Sequence, residues 1–138
     1  LMQPLTFMNL TGEAVRRWLH ENQGPPEDLL VVSDDVYLPV GTLRLRARGS
    51  SGGHRGLESI EAALGSRDFA RLRIGVGAAE SSAELREHVL DAFSPEEAPR
   101  VDETVLRAAD AVECWVAESI TTAMNRFNRR AGKEVQEP

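Results

Sequence analysis

The sequence predicts a single-domain α/β fold, a mixed β-sheet flanked by helices, and three observations predict it. An unbroken β-favouring run, LLVV at 29 to 32, follows a helical segment, the pattern of a strand covered on both faces. Two further stretches, TLRLRAR at 42 to 48 and ARLRIGVG at 70 to 77, alternate apolar with polar or small residues, as half-buried strands do. Between and after them lie segments with apolar residues at helical spacing. At 138 residues, 41% apolar and 28% charged, the chain has room for one core.

Leu1 to Leu10 runs abruptly through apolar residues and Pro4 into TFMN, so it reads as a chain entered midway. Thr11 is placed to cap a helix through Asn22, with Ala14, Val15, Trp18 and Leu19 on one face and Glu13, Arg16, Arg17 and Glu21 on the other. Gly24, Pro25 and Pro26 end it. After LLVV, Ser33 delivers two adjacent carboxylates, Asp34 and Asp35, at a strand end, where open α/β sheets place ligands. Pro39 and Gly41 turn the chain into a strand with Leu43 and Leu45 inward and Arg44, Arg46 and Arg48 outward. The loop GSSGGHRG holds His54 and leads to a helix with Leu57, Ile60 and Leu64 inward, stopped by Gly65.

In ARLRIGVG, Leu72, Ile74 and Val76 share a face, and Gly75 and Gly77 imply close packing opposite. A short helix is expected over 82–93, with Leu85, Val89 and Leu90 as its apolar side and His88 on the surface. SPEE at 94 to 97 has the form of a capping box, opening a long helix whose Val101, Val105, Ala108, Ala109, Val112, Trp115 and Val116 are expected to pack inward. A last helix from about Ile120 buries Ala123, Met124 and Phe127. The domain therefore spans 1–128, and 129–138 is expected to be a disordered tail.

The net charge of −6 argues against a general polyanion coat, yet residues 44–73 carry seven arginines against three acids. Composition leaves two readings of this sector open, a local phosphate-binding face and an ordinary solvated strand. Lone Cys114 reads as a small buried apolar residue, and no secretory signal or membrane span is visible, so a cytoplasmic protein is expected. His20, His54 and His88 lack companions at metal spacing, so no metal or other cofactor is expected. What remains is a carboxylate pair, a loop histidine, the asparagine of TFMN and an arginine cluster, suited to acid/base chemistry or anion binding.

Six blocks, in order, carry a family likeness: TFMNLTGEAV at 6 to 15, LLVVSDDVYLPVG at 29 to 41, SGGHRGLESI at 51 to 60, DFARLRIGVG at 68 to 77, FSPEE at 93 to 97 and AMNRFN at 123 to 128. Together they resemble bacterial-type peptidyl-tRNA hydrolase across nearly the whole chain. The resemblance implies that family's twisted mixed sheet, a metal-free esterase acting on peptidyl-tRNA, no membrane partner, and a monomer in the full-length form. It implies that Asn9 helps hold the peptide and position water, that Met8 is its apolar neighbour, and that Asp34 orients the family's catalytic histidine. His54 matches the loop histidine near the substrate's 3′ end, and Arg44, Arg46 and Arg73 match basic positions used against tRNA phosphate.

The chain departs from the family pattern in three ways. Arg55 stands where the family has a second active-site asparagine. Ser33 and Tyr37 replace the usual histidine and aspartate. The family's catalytic histidine and first core strand, which precede TFMN, have no counterpart in these 138 residues, so the chain is expected to be an N-terminally truncated, inactive form. A non-catalytic RNA-binding module of the same descent is the alternative.

Overall fold

The computed structural model describes residues 1–77 and 95–128; the expected helix over 82–93 with His88, the Ser94 cap and the tail beyond 128 lie outside them. The helices are α1 (Thr11–Glu21), α2 (Arg55–Leu64), α3 (Ala98–Ala117) and α4 (Ile120–Phe127), and the strands are β1 (Leu30–Asp35), β2 (Leu43–Arg46) and β3 (Ala70–Gly75). Two compact units emerge, one of Leu1–Val31 with Ala47–Ala70, the other of Val32–Arg46 with Arg71–Pro138. No helix among the described residues is long and apolar enough to cross a membrane.

The first unit is built on α1 packed against α2. Its core joins Val15 and Leu19 to Leu57, Ile60 and Phe69, with Leu29, Val31 and Leu64 at its margin. Burying each such side chain contributes about 1.5–3 kcal/mol, enough to fix how the helices meet. Gly12 lets them approach: a Cβ there would run into the Ser59 backbone carbonyl. Thr11 is the first helical residue and not the cap, because a 3-10 turn over Met8–Leu10 feeds directly into α1. At the other end Gln23, at φ 52°, and Gly24 fold back so that their amides donate to the carbonyls of His20 and Leu19. This Schellman closure ends the helix before the prolines can. Trp18, expected inward, is exposed.

In the second unit the described sheet runs β1-β3-β2, with β2 and β3 antiparallel and Leu43, Arg44, Leu45 and Arg46 opposite Ile74, Arg73, Leu72 and Arg71. The central place of β3 corrects its reading as a half-buried strand. Arg71 and Leu72, on opposite faces, are both 0% exposed. Strand β1, expected to be covered on both faces, lies at an edge of the described sheet, and its Val32 is 49% exposed. Gly75 behaves as expected: a Cβ would meet the Pro39 carbonyl, and the Val76 and Gly77 amides donate to the carbonyls of Asp35 and Leu38.

Helix α3 starts at Ala98, with Glu97 before it making no side-chain cap and a proline, Pro99, in the first turn, where its missing N–H costs nothing. Its buried face is Thr104, Ala108, Ala111 and Cys114. Val105 and Val116, expected inward, are 53% and 72% exposed. The small residues win that face because α3 packs on α4, whose Ala123 is also fully buried. Ser119 caps α4 by accepting from the Thr122 amide at 3.1 Å.

Candidate active site

In the first unit the glycine-rich loop before α2 is ordered by Ser51. Its carbonyl accepts from the His54 amide at 3.1 Å, and its hydroxyl accepts from the Gly53 amide at 3.3 Å and donates to Glu58 at 3.4 Å. Gly52 and Gly53 take φ of 60° and 85°, which side-chain-bearing residues adopt only with strain. The loop thereby hands His54 to the helix as its N-cap, with Nδ1 accepting from the amides of Gly56 at 3.1 Å and Leu57 at 3.3 Å. Arg55 is the first residue of α2 and is exposed.

Gly56 is the floor of this corner. A Cβ added to it would lie 2.7 Å from Met8 Sδ and 3.0 Å from His54 Cε1, so the thioether and the imidazole lean over the same bare backbone. Ser59 then fixes Asn9: its hydroxyl donates to the Asn9 carbonyl at 3.0 Å and accepts from the Gly12 amide at 2.8 Å. Met8, Asn9, His54 and Arg55 are thus gathered by α2. Sequence reasoning had no place for Ser59 or for a supporting Ser51. The one available signal was Gly12, a glycine near the start of an otherwise good helix.

In the second unit Asp35 ends β1. Its Oδ1 accepts from the Tyr37 amide at 2.8 Å, forming an Asx turn, and its Oδ2 lies 3.4 Å from Arg73 Nη1. The pair is 10% and 16% exposed, so it is held in a low-dielectric setting. Asp34, half-buried one residue earlier, is turned by strand alternation to the other side. Arg44 stands directly opposite Arg73, and Arg46 opposite Arg71, so four arginines share one face of the β2/β3 pair. Arg46 is the exposed member, Arg44 is half-buried, and Arg73 is engaged by Asp35. The three expected phosphate contacts therefore differ in what they can reach.

Among the described residues no group of three or more His, Cys, Asp or Glu is placed to hold a metal ion. Cys114 is buried; that burial first, and then its contact with Glu118, push its thiol above the ordinary value.

This is an α/β protein whose first unit carries polar side chains at the start of a helix and whose second unit carries them at strand ends, positions that binding and catalytic residues often take. A family profile described as Peptidyl-tRNA hydrolase matches residues 1–136. The chain is 48% identical over 128 residues to a peptidyl-tRNA hydrolase of Syntrophomonas wolfei, covering 93% of this chain and 69% of that protein. It is 46% identical to one of Symbiobacterium thermophilum, covering 93% and 68%. The crystal structure of the Acinetobacter baumannii peptidyl-tRNA hydrolase superposes with a TM-score of 0.85 at 32% identity, over 92% of this chain and 64% of that one. The chain belongs to the peptidyl-tRNA hydrolase family, and the mixed sheet flanked by helices is that family's fold.

Proposed function

We propose that this chain supplies most of a site that hydrolyses the ester joining a peptide to the 3′ ribose of tRNA, recycling tRNA in the cytoplasm without a metal. The observation that carries the reading is the family match over residues 1–136, together with Met8, Asn9 and His54 assembled around α2. In this reading the histidine that the family likeness assigns as base removes a proton from water. The water oxygen attacks the ester carbonyl, and collapse of the tetrahedral adduct expels the ribose 3′-oxygen, which takes up the proton. Asp34 accepts from that histidine's far ring nitrogen, fixing its tautomer and stabilising the imidazolium.

Asn9 and Met8 hold the peptide side of the ester, while His54 and Arg55 lie toward the 3′-terminal nucleotide. Arg44, Arg46 and Arg73 form the basic face toward the tRNA backbone, where guanidiniums suit phosphate.

The test joins an N-terminal segment bearing the family's strand and histidine ahead of Leu1 and measures peptide release from peptidyl-tRNA. Turnover should appear only in the joined protein, and Asp34→Ala in it should lower kcat by about 10²–10⁴-fold with little change in tRNA affinity. Binding without turnover in the joined protein would favour the RNA-binding module, for which the shared arginine face of β2 and β3 is the supporting feature.

A further inference from the structure

We infer that Asn128 and Arg107 are positioning residues for the basic face: from α4 and α3 they hold β2 in register from outside its pairing with β3, and so set where Arg44 and Arg46 meet phosphate. The use of that register rests on the proposed tRNA reading; the hold itself does not.

Strand β2 has a reason to leave its neighbour. The Gly75 amide donates to the Thr42 carbonyl at 2.9 Å, so antiparallel alternation puts the hydrogen-bonded rungs at Thr42, Arg44 and Arg46, while Leu43 and Leu45 turn their backbone groups outward. The Arg44 rung faces Arg73 and the Arg46 rung faces Arg71, and like charges directly opposite weaken a strand pair. Asp35 engages Arg73 from β1, on the other side of β3. Strand β2 is four residues long and has one strand neighbour in the described sheet.

Helix side chains grip it at two points. Arg107 Nη1 donates to the Gly41 carbonyl at 3.2 Å, and the stem of Arg100 crosses the same glycine so closely that a Cβ there would stand 2.8 Å from Arg100 Cδ. These contacts fix the turn from which β2 starts. At mid-strand the Asn128 carboxamide bonds both the amide and the carbonyl of Leu45. Asn128 is itself held at the end of α4, its amide donating to the Met124 carbonyl at 3.1 Å, and Arg126 ties α4 to the end of α3 through Glu118 at 2.6 and 3.3 Å. Arg44 and Arg46 flank Leu45 and move with it. A polyanion that neutralises the face relieves the same repulsion, so phosphate binding and the hold favour one arrangement of the strand.

The test is a double-mutant cycle on this chain, Asn128→Ala with Arg46→Ala, read in two ways. Amide hydrogen exchange at Arg44 reports the hold. Asn128→Ala should speed it by about tenfold, and by less where Arg46→Ala has already removed one opposed charge. No acceleration, or the same acceleration in both backgrounds, would overturn the inference. Arg107→Met, which frees only the entry turn, carries the same cycle if Asn128→Ala does not fold.

Affinity for deacylated tRNA, compared where circular dichroism shows every variant folded, reports the use of the register. Asn128→Ala should weaken it by about tenfold, the scale of one charge-assisted hydrogen bond, with the salt slope unchanged because no charge is removed. The double variant should lose less than the two single losses combined. Unchanged affinity, or strictly additive losses, would refute the positioning role. Absence of tRNA binding by the parent would refute the tRNA reading of the face while leaving the exchange cycle decisive for the hold.

Discussion

The side-chain amide of Asn128 pairs with the backbone of Leu45: Oδ1 accepts from the Leu45 amide at 2.6 Å and Nδ2 donates to the Leu45 carbonyl at 3.0 Å. Strand β2 is at an edge of the described sheet, and Leu45 opposite Leu72 has its amide and carbonyl turned away from β3. The carboxamide therefore stands in for a neighbouring strand, satisfying a donor and an acceptor that an open edge would leave available for pairing with other chains. Asn128→Ala should cost about 1–3 kcal/mol, seen as a lower urea midpoint with an unchanged slope. Asn128→Asp, which cannot donate to the carbonyl, should recover only part of that loss.

Gly12→Ala sets two effects against each other. Alanine is better than glycine in a helix by about 1 kcal/mol, but here its methyl group would collide with the Ser59 carbonyl. Backbone cannot yield as a flexible side chain would, so the variant should be less stable than the parent in thermal unfolding. A rise in Tm would show that α1 and α2 can separate freely. Ser59→Ala should also destabilise, because the Gly12 amide and the Asn9 carbonyl both lose their partner.

Arg46 and Arg73 should separate by experiment although they share a face. Arg46→Ala removes an exposed charge, so tRNA affinity should fall uniformly across sequences and the salt slope should shrink by about 0.9. Arg73→Ala leaves Asp35 nearly buried without its 3.4 Å partner, and should cost about 3 kcal/mol of folding stability. Denaturation curves and salt titrations of the two variants distinguish the contributions, and a fully stable Arg73→Ala protein would show that the pair with Asp35 does not hold the fold.

Arg55 puts a cation at the amino end of α2, where the helix dipole opposes it. Arg55→Asn, which restores the family's residue type, should therefore stabilise the chain by about 0.3–1 kcal/mol at low salt. If Arg55 reaches the tRNA end, the same change should weaken binding, so stability and affinity should move in opposite directions.

Burial raises the Cys114 thiol above its ordinary value. The folded state therefore favours the protonated thiol, a contribution complete below the unfolded thiol's pKa and lost as pH rises through the folded one. Stability should decline as pH rises past the ordinary thiol pKa of about 8.5, and Cys114→Ala should flatten that decline. Reagent labelling of the thiol at neutral pH should be slow until the chain unfolds.

Much of the architecture was legible in local patterns. The alternation of LRLR and RLRIG placed β2 and β3, Gly65 at φ 66° closed α2 as expected, and Ile120 opened α4. Six collinear blocks were enough to name the family, since any one could arise by chance but the ordered set very rarely would. The sequence by itself also determined which residues are candidates: a strand-end carboxylate, an asparagine before a helix, a histidine after glycines.

Tertiary structure alone decided how they are held. Alternation says which residues share a face, not whether that face meets solvent or a neighbour, so only the central place of β3 decided that Arg71 is buried. Helical spacing admits several apolar stripes on α3, and the one that buries depends on which side chains are small enough for α4 to approach. The capping role of His54 and the bridge from Ser59 to Asn9 arise from backbone groups brought together in three dimensions. Hydrogen bonds between such groups leave no periodic mark along the chain.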